Sequence, residues 1–294
     1  MKSQEQYPKT FSFEFFPPKT EKGEALLQRT LATLEPLGPE FASVTYGAGG
    51  STREPTFTTV DYIRRSTALE AVPHLTCIGS SEDTVRAILS RYRSDGIRRI
   101  VALRGDLPEG ADPEANHFRN ANELVAFIRA FGGFEIHVAC YPEFHPESPD
   151  PRTDVDNFVR KADAGADVAI TQYFFNNAAY YAFVDDLERR GVRIPVIAGL
   201  MPITQFAQID RFSSMCGADI PLWIRKRMEA CGEDAVGQRE LGIEIATRQA
   251  EDLLANGAPG LHFYTLNKAE ATRRVWDNLA LGEARGSDGA RVVA

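Results

Sequence analysis

Cysteine is scarce in this chain. Its 294 residues include four, Cys77, Cys140, Cys216 and Cys231, and no two form a C-x-x-C pair. None has a histidine nearby at zinc-ligand spacing, so neither a zinc ribbon nor a redox pair is indicated. A chain this long and this poor in cysteine is not a disulfide scaffold. Cys77 and Cys140 sit in apolar runs and are expected in the core. Basic charge is also in deficit. Lys and Arg number 33 against 41 Asp and Glu, for a net charge of -8 and a pI near 5.3. That balance excludes an electrostatic footprint for nucleic acid. No apolar stretch approaches transmembrane length, and the start MKSQEQYPKT has no apolar signal core. No membrane partner is expected, and a reducing, cytoplasmic setting is the default. The histidines are scattered without helical spacing, so no metal set is expected either.

One pattern recurs: a helical stretch, a glycine, then a short apolar run. It reads LEPLG before FASVTY, RSDG before RRIVALRG, AFGG before FEIHVACY, KADAG before ADVAITQYF, LERRG before VRIPVIAGL and LLANG before APGLHFYTL. Gly38, Gly96, Gly132, Gly165, Gly191 and Gly257 suit the left-handed position just past a helix end. The runs that follow are rich in Val, Ile, Phe and Tyr with little alternation, as in parallel strands covered on both faces. With FSFEFF and AVPHLTC they predict eight strands, starting near Phe11, Phe41, Ala71, Arg99, Glu135, Val168, Ile194 and Gly260. The spacing is mostly roughly thirty residues, one βα unit. The predicted fold is α/β, a (β/α)8 TIM barrel forming a single domain over 1–282, with a frayed tail over 283–294. An open doubly wound sheet is the alternative. The last interval is twice the usual length, and PLWIRKRMEA and ELGIEIATRQAEDLLANG both read as helical there, which predicts an extra helix before the last strand.

In such barrels chemistry sits on the loops after the strands. Those positions hold Glu14, then Thr45-Tyr46 with GAGGSTRE, His74, Arg104-Gly105-Asp106, Tyr141 with His145, Thr171-Gln172, and finally Tyr264 and Asn267. Glu14 and Asp106 are the sharpest pair, since two carboxylates in one mouth can take different roles if their surroundings separate their pKa values. Phe13, Phe15 and Phe16 flank Glu14 in sequence; desolvation by them would keep it protonated, as a general acid needs. The bland alternative is a structural glutamate bonded to an arginine. For Asp106 it is a turn or helix cap, and for His74 a satisfied core residue. GAGGSTRE matches neither G-x-G-x-x-G nor a Walker loop. In DVDNFVRKADAG, Asp154, Asn157 and Lys161 share one helical face with Arg160 adjacent. That stripe could grip a ribose and a pyrophosphate, or simply be a solvated face.

The stretches FEFFPPKT, SVTYGAGG, PHLTCIG, IVALRGDLP, YPEFHPE, RKADAGADVAITQYFF, GLMPI and HFYTLN, in this order from Phe13 to Asn267, closely resemble the bacterial methylenetetrahydrofolate reductase family. The resemblance implies a (β/α)8 barrel that binds FAD and uses NADH or NADPH to reduce 5,10-methylenetetrahydrofolate to 5-methyltetrahydrofolate, in ping-pong fashion. It implies Glu14 as the acid that protonates the 10-position nitrogen of the folate, and Asp106 as the aspartate beside the flavin that tunes its potential and meets the pterin. It implies FAD contacts from Thr45, Tyr46, Ala48, His74, Arg104, Gly105, Asp106, Ala121, Tyr141, His145, Asp154, Asn157, Arg160 and Lys161. Gln172, Gln208, Phe212, Tyr264 and Lys268 are implied for folate or nicotinamide. Two departures stand out. The loop ADPEANHFRNANELV is a few residues longer than the common pattern, with Asn120 and Asn122 where the family often has Tyr and Ser or Thr, so its FAD contacts stay open. Lys268 replaces a frequent arginine, keeping charge but losing the bidentate fork. The regulatory domain of eukaryotic relatives does not follow the barrel, so control by S-adenosylmethionine through it is not expected. A homo-oligomer is left open. The alternatives are a flavin-independent reductase, a non-redox barrel lyase using Glu14 and Asp106 as acid and base, and a non-catalytic folate binder.

Overall fold

The computed structural model describes residues 1–46, 53–106 and 117–281. Eight parallel strands close into a barrel in chain order. They are β1 (Thr10–Phe15), β2 (Phe41–Val44), β3 (Glu70–Thr76), β4 (Arg99–Leu103), β5 (Glu135–Cys140), β6 (Val168–Thr171), β7 (Val196–Leu200) and β8 (Gly260–Tyr264). Closure is the pairing of β1 with β8 as well as with β2, which excludes the open doubly wound sheet. The strands start within a residue of the expected positions except β7, which begins at Val196. Pro195 has no N–H to offer the ladder, although its carbonyl still accepts from the Ala169 N–H at 2.9 Å.

Around the barrel lie α1 (Glu21–Leu34), α2 (Arg53–Ser66), α3 (Glu82–Ser94), α4 (Ala121–Phe131), α5 (Pro151–Asp163), α6 (Asn177–Arg189) and α10 (Ala269–Asn278). Side chains cap several of them: Thr20 accepts from the Gly23 N–H, Ser81 from Thr84, and Asp150 from Thr153. Each such cap satisfies one backbone donor that the helix itself leaves unpaired. All six glycines expected at helix ends have positive φ.

Between β7 and β8 there are three helices where two were expected: α7 (Phe206–Cys216), α8 (Leu222–Ala230) and α9 (Ala235–Ala255). The unforeseen α7 carries Phe206, Ile209, Phe212 and Cys216 at helical spacing. Its buried residues are Ile209 and Ser213, and its partners come from other elements. With α8 it forms a separate apolar cluster that includes Tyr173, Met201, Ile203 and Ile224.

Alternation along each strand sorts the rest of the core. Phe13 and Phe15 point outward into the layer between sheet and helices, where Phe13 meets Phe263 and Trp276 edge-on at 5.8 and 5.4 Å. Phe41, Val72, Val101, Ile170 and Ile197 fill the barrel interior. At the amino-terminal mouth Arg99 lies between Glu40 (2.9 Å), Glu70 (3.2 Å) and Glu135 (3.3 Å). These ion pairs tie the starts of neighbouring strands together, at the end of the barrel opposite the one where the strands finish.

Gly242 lies buried inside α9, where a Cβ would overlap the Ile203 carbonyl oxygen. In a free helix Gly→Ala gains about 1 kcal/mol. Here overpacking against backbone dominates, so Gly242→Ala is expected to lose about 2–3 kcal/mol, visible as a lowered melting temperature by circular dichroism.

Candidate active site

Two cavities open side by side at the carboxyl ends of the strands. The first, of about 240 Å³, is lined by Tyr46, Thr76, Arg104, Gly105, Asp106, Ala121, Tyr141, His145 and Lys161. The second, of about 290 Å³, is lined by Glu14, Phe16, Gln172, Tyr173, Phe212, Cys216 and Tyr264 among others. Glu14 and Asp106 thus share the barrel mouth but belong to different cavities.

Glu14 projects inward from β1 because Phe13 and Phe15 project outward. Of the phenylalanines expected around it, Phe13 belongs to the outer layer, while Phe15 and Phe16 still line its cavity. Its Oε2 lies 3.4 Å from His74 Nε2 and 3.5 Å from His262 Nε2. No arginine among the described residues pairs with it. Behind it the Ser12 hydroxyl meets His262 Nδ1 at 2.7 Å. When Ser12 donates, His262 carries its hydrogen on Nε2, facing Glu14. The Glu14 carbonyl accepts from the Thr265 hydroxyl at 2.6 Å. One residue on, the Phe16 N–H donates to Asn267 Oδ1 at 3.0 Å, and Asn267 Nδ2 donates back to the Phe16 carbonyl at 2.8 Å. The strand ends there, before Pro17-Pro18, as expected.

His74 is buried within the barrel beneath this carboxylate. Burial pushes its pKa from 6.5 down to about 4; Glu14 opposes that shift, while His262 and His137 add to it. The imidazole next to Glu14 is accordingly neutral at physiological pH. Tyr264 stands between the cavities. Its phenol is pushed well up by burial, then by Glu14 on one side and Tyr141 on the other, and its hydroxyl donates to the Thr171 carbonyl at 2.7 Å.

In the first cavity Arg104 pairs with Glu147 at 2.6 Å, a contact that raises the guanidinium pKa. Lys161 donates to the Ala139 carbonyl at 2.5 Å, and burial lowers its pKa. Gly105 has φ 87°, and a Cβ there would sit 2.9 Å from Thr76 Cβ, so only glycine fits. Asp154 ties the loop after β5, accepting from the His145 N–H at 3.2 Å and the Ser148 hydroxyl at 3.1 Å. Burial lowers the His145 pKa.

The charged stripe of α5 divides. Lys161 reaches the cavity and Asp154 holds its rim, whereas Asn157 and Arg160 are exposed and bonded to each other at 2.6 Å. Thr45 lies beside Tyr46, its carbonyl accepting from the Thr56 hydroxyl at 3.1 Å. Gln172 Oε1 accepts from the Tyr173 N–H at 2.9 Å. Gln208 and Phe212 both come from α7; Phe212 lines the second cavity, whereas Gln208 lines neither, and its buried Oε1 has no hydrogen-bond partner among the described residues. Lys268 is exposed at the start of α10 and lines neither cavity. Ala48 lies outside the described residues. Cys77 and Cys140 are buried as expected, and burial pushes the Cys77 thiol up to about 12.

Ser12, His262, Thr265 and Asn267 are the residues that sequence reasoning missed or left without a role. Ser12 and Glu14 are two apart on β1, as are His262 and Tyr264 on β8, so period-2 alternation was the signal that could have found the first two.

A closed parallel barrel with an acid-bearing cavity beside a cation-lined one at its carboxyl end defines a (β/α)8 enzyme. The pattern of the family described as Methylenetetrahydrofolate reductase matches residues 1–280. The 5,10-methylenetetrahydrofolate reductase of Escherichia coli (strain K12) is 40% identical over 270 residues, covering 92% of this chain and 90% of that protein. The chain belongs to the methylenetetrahydrofolate reductase family. Methylenetetrahydrofolate reductase (NADH) 1 of Arabidopsis thaliana is 35% identical over 291 residues, covering 94% of this chain and 49% of that protein. Among solved structures, an uncharacterized Clostridium thermocellum protein described as binding two copies of 5-methyl-5,6,7,8-tetrahydrofolic acid has a TM-score of 0.65 over 98% of both chains. Its 16% identity speaks to the fold alone.

The neutral His74 carries a pH signature. Between its ordinary pKa of 6.5 and its folded value of about 4, the unfolded chain takes up a proton that the folded chain refuses. Stability therefore falls as pH drops through that window, by roughly 3 kcal/mol in full from this residue. His74→Gln is expected to flatten the dependence of the urea midpoint on pH between 6.5 and 4.

Proposed function

We propose that this reductase uses FAD held in the first cavity and NADH or NADPH as reductant, in a ping-pong cycle. The donor set fits such a group. Arg104 and Lys161 supply positive charge for phosphates, Tyr46 and Tyr141 supply aromatic faces, and the missing Cβ of Gly105 leaves room for close backbone approach. When bound, FAD supplies a carrier for one hydride between nicotinamide and folate.

The chain's own residues do the rest. A cavity of about 290 Å³ has room for one ring system, a nicotinamide or a pterin, and not for both. Occupation in turn by the two substrates is the physical basis for alternating binding. Phe212 offers a face for the aromatic part of folate, and Gln172 and Tyr264 orient it. Glu14 gives its proton to the 10-position nitrogen as the five-membered ring opens, leaving an iminium carbon to receive the hydride. His262, oriented by Ser12, is placed to hold the Glu14 carboxyl group through its Nε2–H. Asp106, at the edge of the first cavity, places negative charge where it disfavours an anionic reduced carrier, which makes hydride donation easier.

The observation that carries this reading is the position of Glu14 in the second cavity, between two imidazoles and beside the cation-lined cavity. The purified chain is expected to show flavin absorbance bands. Under anaerobic conditions NADH or NADPH should bleach them, and methylenetetrahydrofolate should restore them. A colourless chain that still oxidises nicotinamide with folate would instead mean direct hydride transfer. Glu14→Gln is expected to keep the bleaching step and lose roughly 10²–10⁴-fold in the folate step. Stopped-flow of the two half-reactions checks this, and loss of both or of neither would remove Glu14 from the acid role.

A further inference from the structure

Helix α7 brings Phe212, Met215 and Cys216 to the second cavity, yet it belongs to the long excursion before β8 rather than to the barrel wall. At its first turn the Phe206 N–H donates to Gln238 Oε1 on α9 at 2.8 Å. In its second turn Asp210 pairs with Arg225 of α8 at 2.8 Å. At its last turn the polar hold among the described residues comes from the barrel. Tyr173, buried just past the end of β6, places its hydroxyl 3.2 Å from Ser213 Oγ. The Cys216 thiol donates to the same hydroxyl at 3.3 Å. A phenol can accept from one partner while it donates to or accepts from the other.

Tyr173 also touches the remaining walls. Its N–H fixes Gln172 Oε1 at 2.9 Å. Its ring stands edge-on to Tyr264, 6.0 Å away at 72°. One side chain thus spans the ends of β6 and β8 and the last turn of α7, and Ser213 directly follows Phe212. We propose that Tyr173 is a positioning residue that sets the α7 wall, and with it Phe212, over the substrate cavity by way of Ser213. The proposal rests on the reading of that cavity as the folate site.

Removing the hydroxyl leaves the ring and its apolar contacts in place, so Tyr173→Phe should loosen the last turn of α7 without unfolding the chain. Steady-state kinetics of Tyr173→Phe, Ser213→Ala and the double variant test this. Each single change is expected to raise KM for methylenetetrahydrofolate about three- to ten-fold, the range of one buried hydrogen bond. The accompanying change in kcat should stay under about two-fold, as for loss of uniform binding. The double variant should be no worse than Tyr173→Phe, which already removes the Ser213 hydrogen bond together with the one from Cys216. Multiplied effects in the double variant, an unchanged KM in both singles, or a fall in kcat alone would overturn the proposal. Alkylation of Cys216 by iodoacetamide, followed by peptide mass, gives a readout independent of turnover. It should quicken several-fold in both singles, and an unchanged rate also overturns the proposal. If the unsubstituted chain shows no folate reduction, the functional reading fails while the alkylation rates still decide the tether.

Discussion

Asn267 grips the chain at Phe16 with both ends of its amide, and the placement of Glu14 depends on that grip. The hold is available because Leu266 and Asn267 take left-handed backbone, with φ of 50° and 54°. Asparagine tolerates that region and leucine pays an unfavourable conformation for it. The Thr265 hydroxyl completes the turn, donating to the Glu14 carbonyl and accepting from the Asn267 N–H at 3.1 Å. The seam where the barrel closes, β1 against β8, is therefore also where the acid is aimed. Pro17 and Pro18 bring no N–H of their own to the strand end, so the partner has to come from elsewhere, and β8 supplies it.

Charge is partitioned around this seam. Arg104 and Lys161 line the first cavity, whereas Glu14 lines the second. The neighbours that Glu14 does have are imidazoles, and burial holds His74 neutral. Positive charge is thereby available for a phosphate-bearing group without being imposed on the acid. Tyr264 marks the boundary, since it feels Glu14 and Tyr141 together. The α7 excursion adds a wall with its own apolar cluster, tied to the barrel rather than grown from it.

Much of the fold was legible because its signals are local. A helix end followed by glycine and a short β-branched or aromatic run repeats along the chain, and the strand starts follow from it to within a residue or two. There are two exceptions. β7 starts late because Pro195 cannot donate, whereas α7 was legible in Phe206, Ile209, Phe212 and Cys216 at helical spacing and was passed over, its apolar partners lying in the loops after β6 and β7 and on α8. The site was legible in part. Glu14 stood out as a carboxylate in an aromatic strand; of the phenylalanines flanking it, Phe13 turns into the outer layer, since side chains one apart on a strand face opposite sides of the sheet, while Phe15 and Phe16 line its cavity. The stripe Asp154, Asn157, Arg160 and Lys161 looked like one surface; the structure turns Lys161 and Asp154 toward the cavity and leaves Asn157 and Arg160 in solvent.

What the sequence determined by itself was the number and order of the βα units and the end of the barrel that carries chemistry. Those follow from glycine placement, strand-forming runs and polar residues at strand ends, all encoded within a few neighbouring positions. Only the tertiary structure decided what surrounds the acid. Ser12 and His262 are 250 residues apart and become partners solely because the sheet closes on itself. No local pattern specifies which inward-facing side chains the closing register brings to one height.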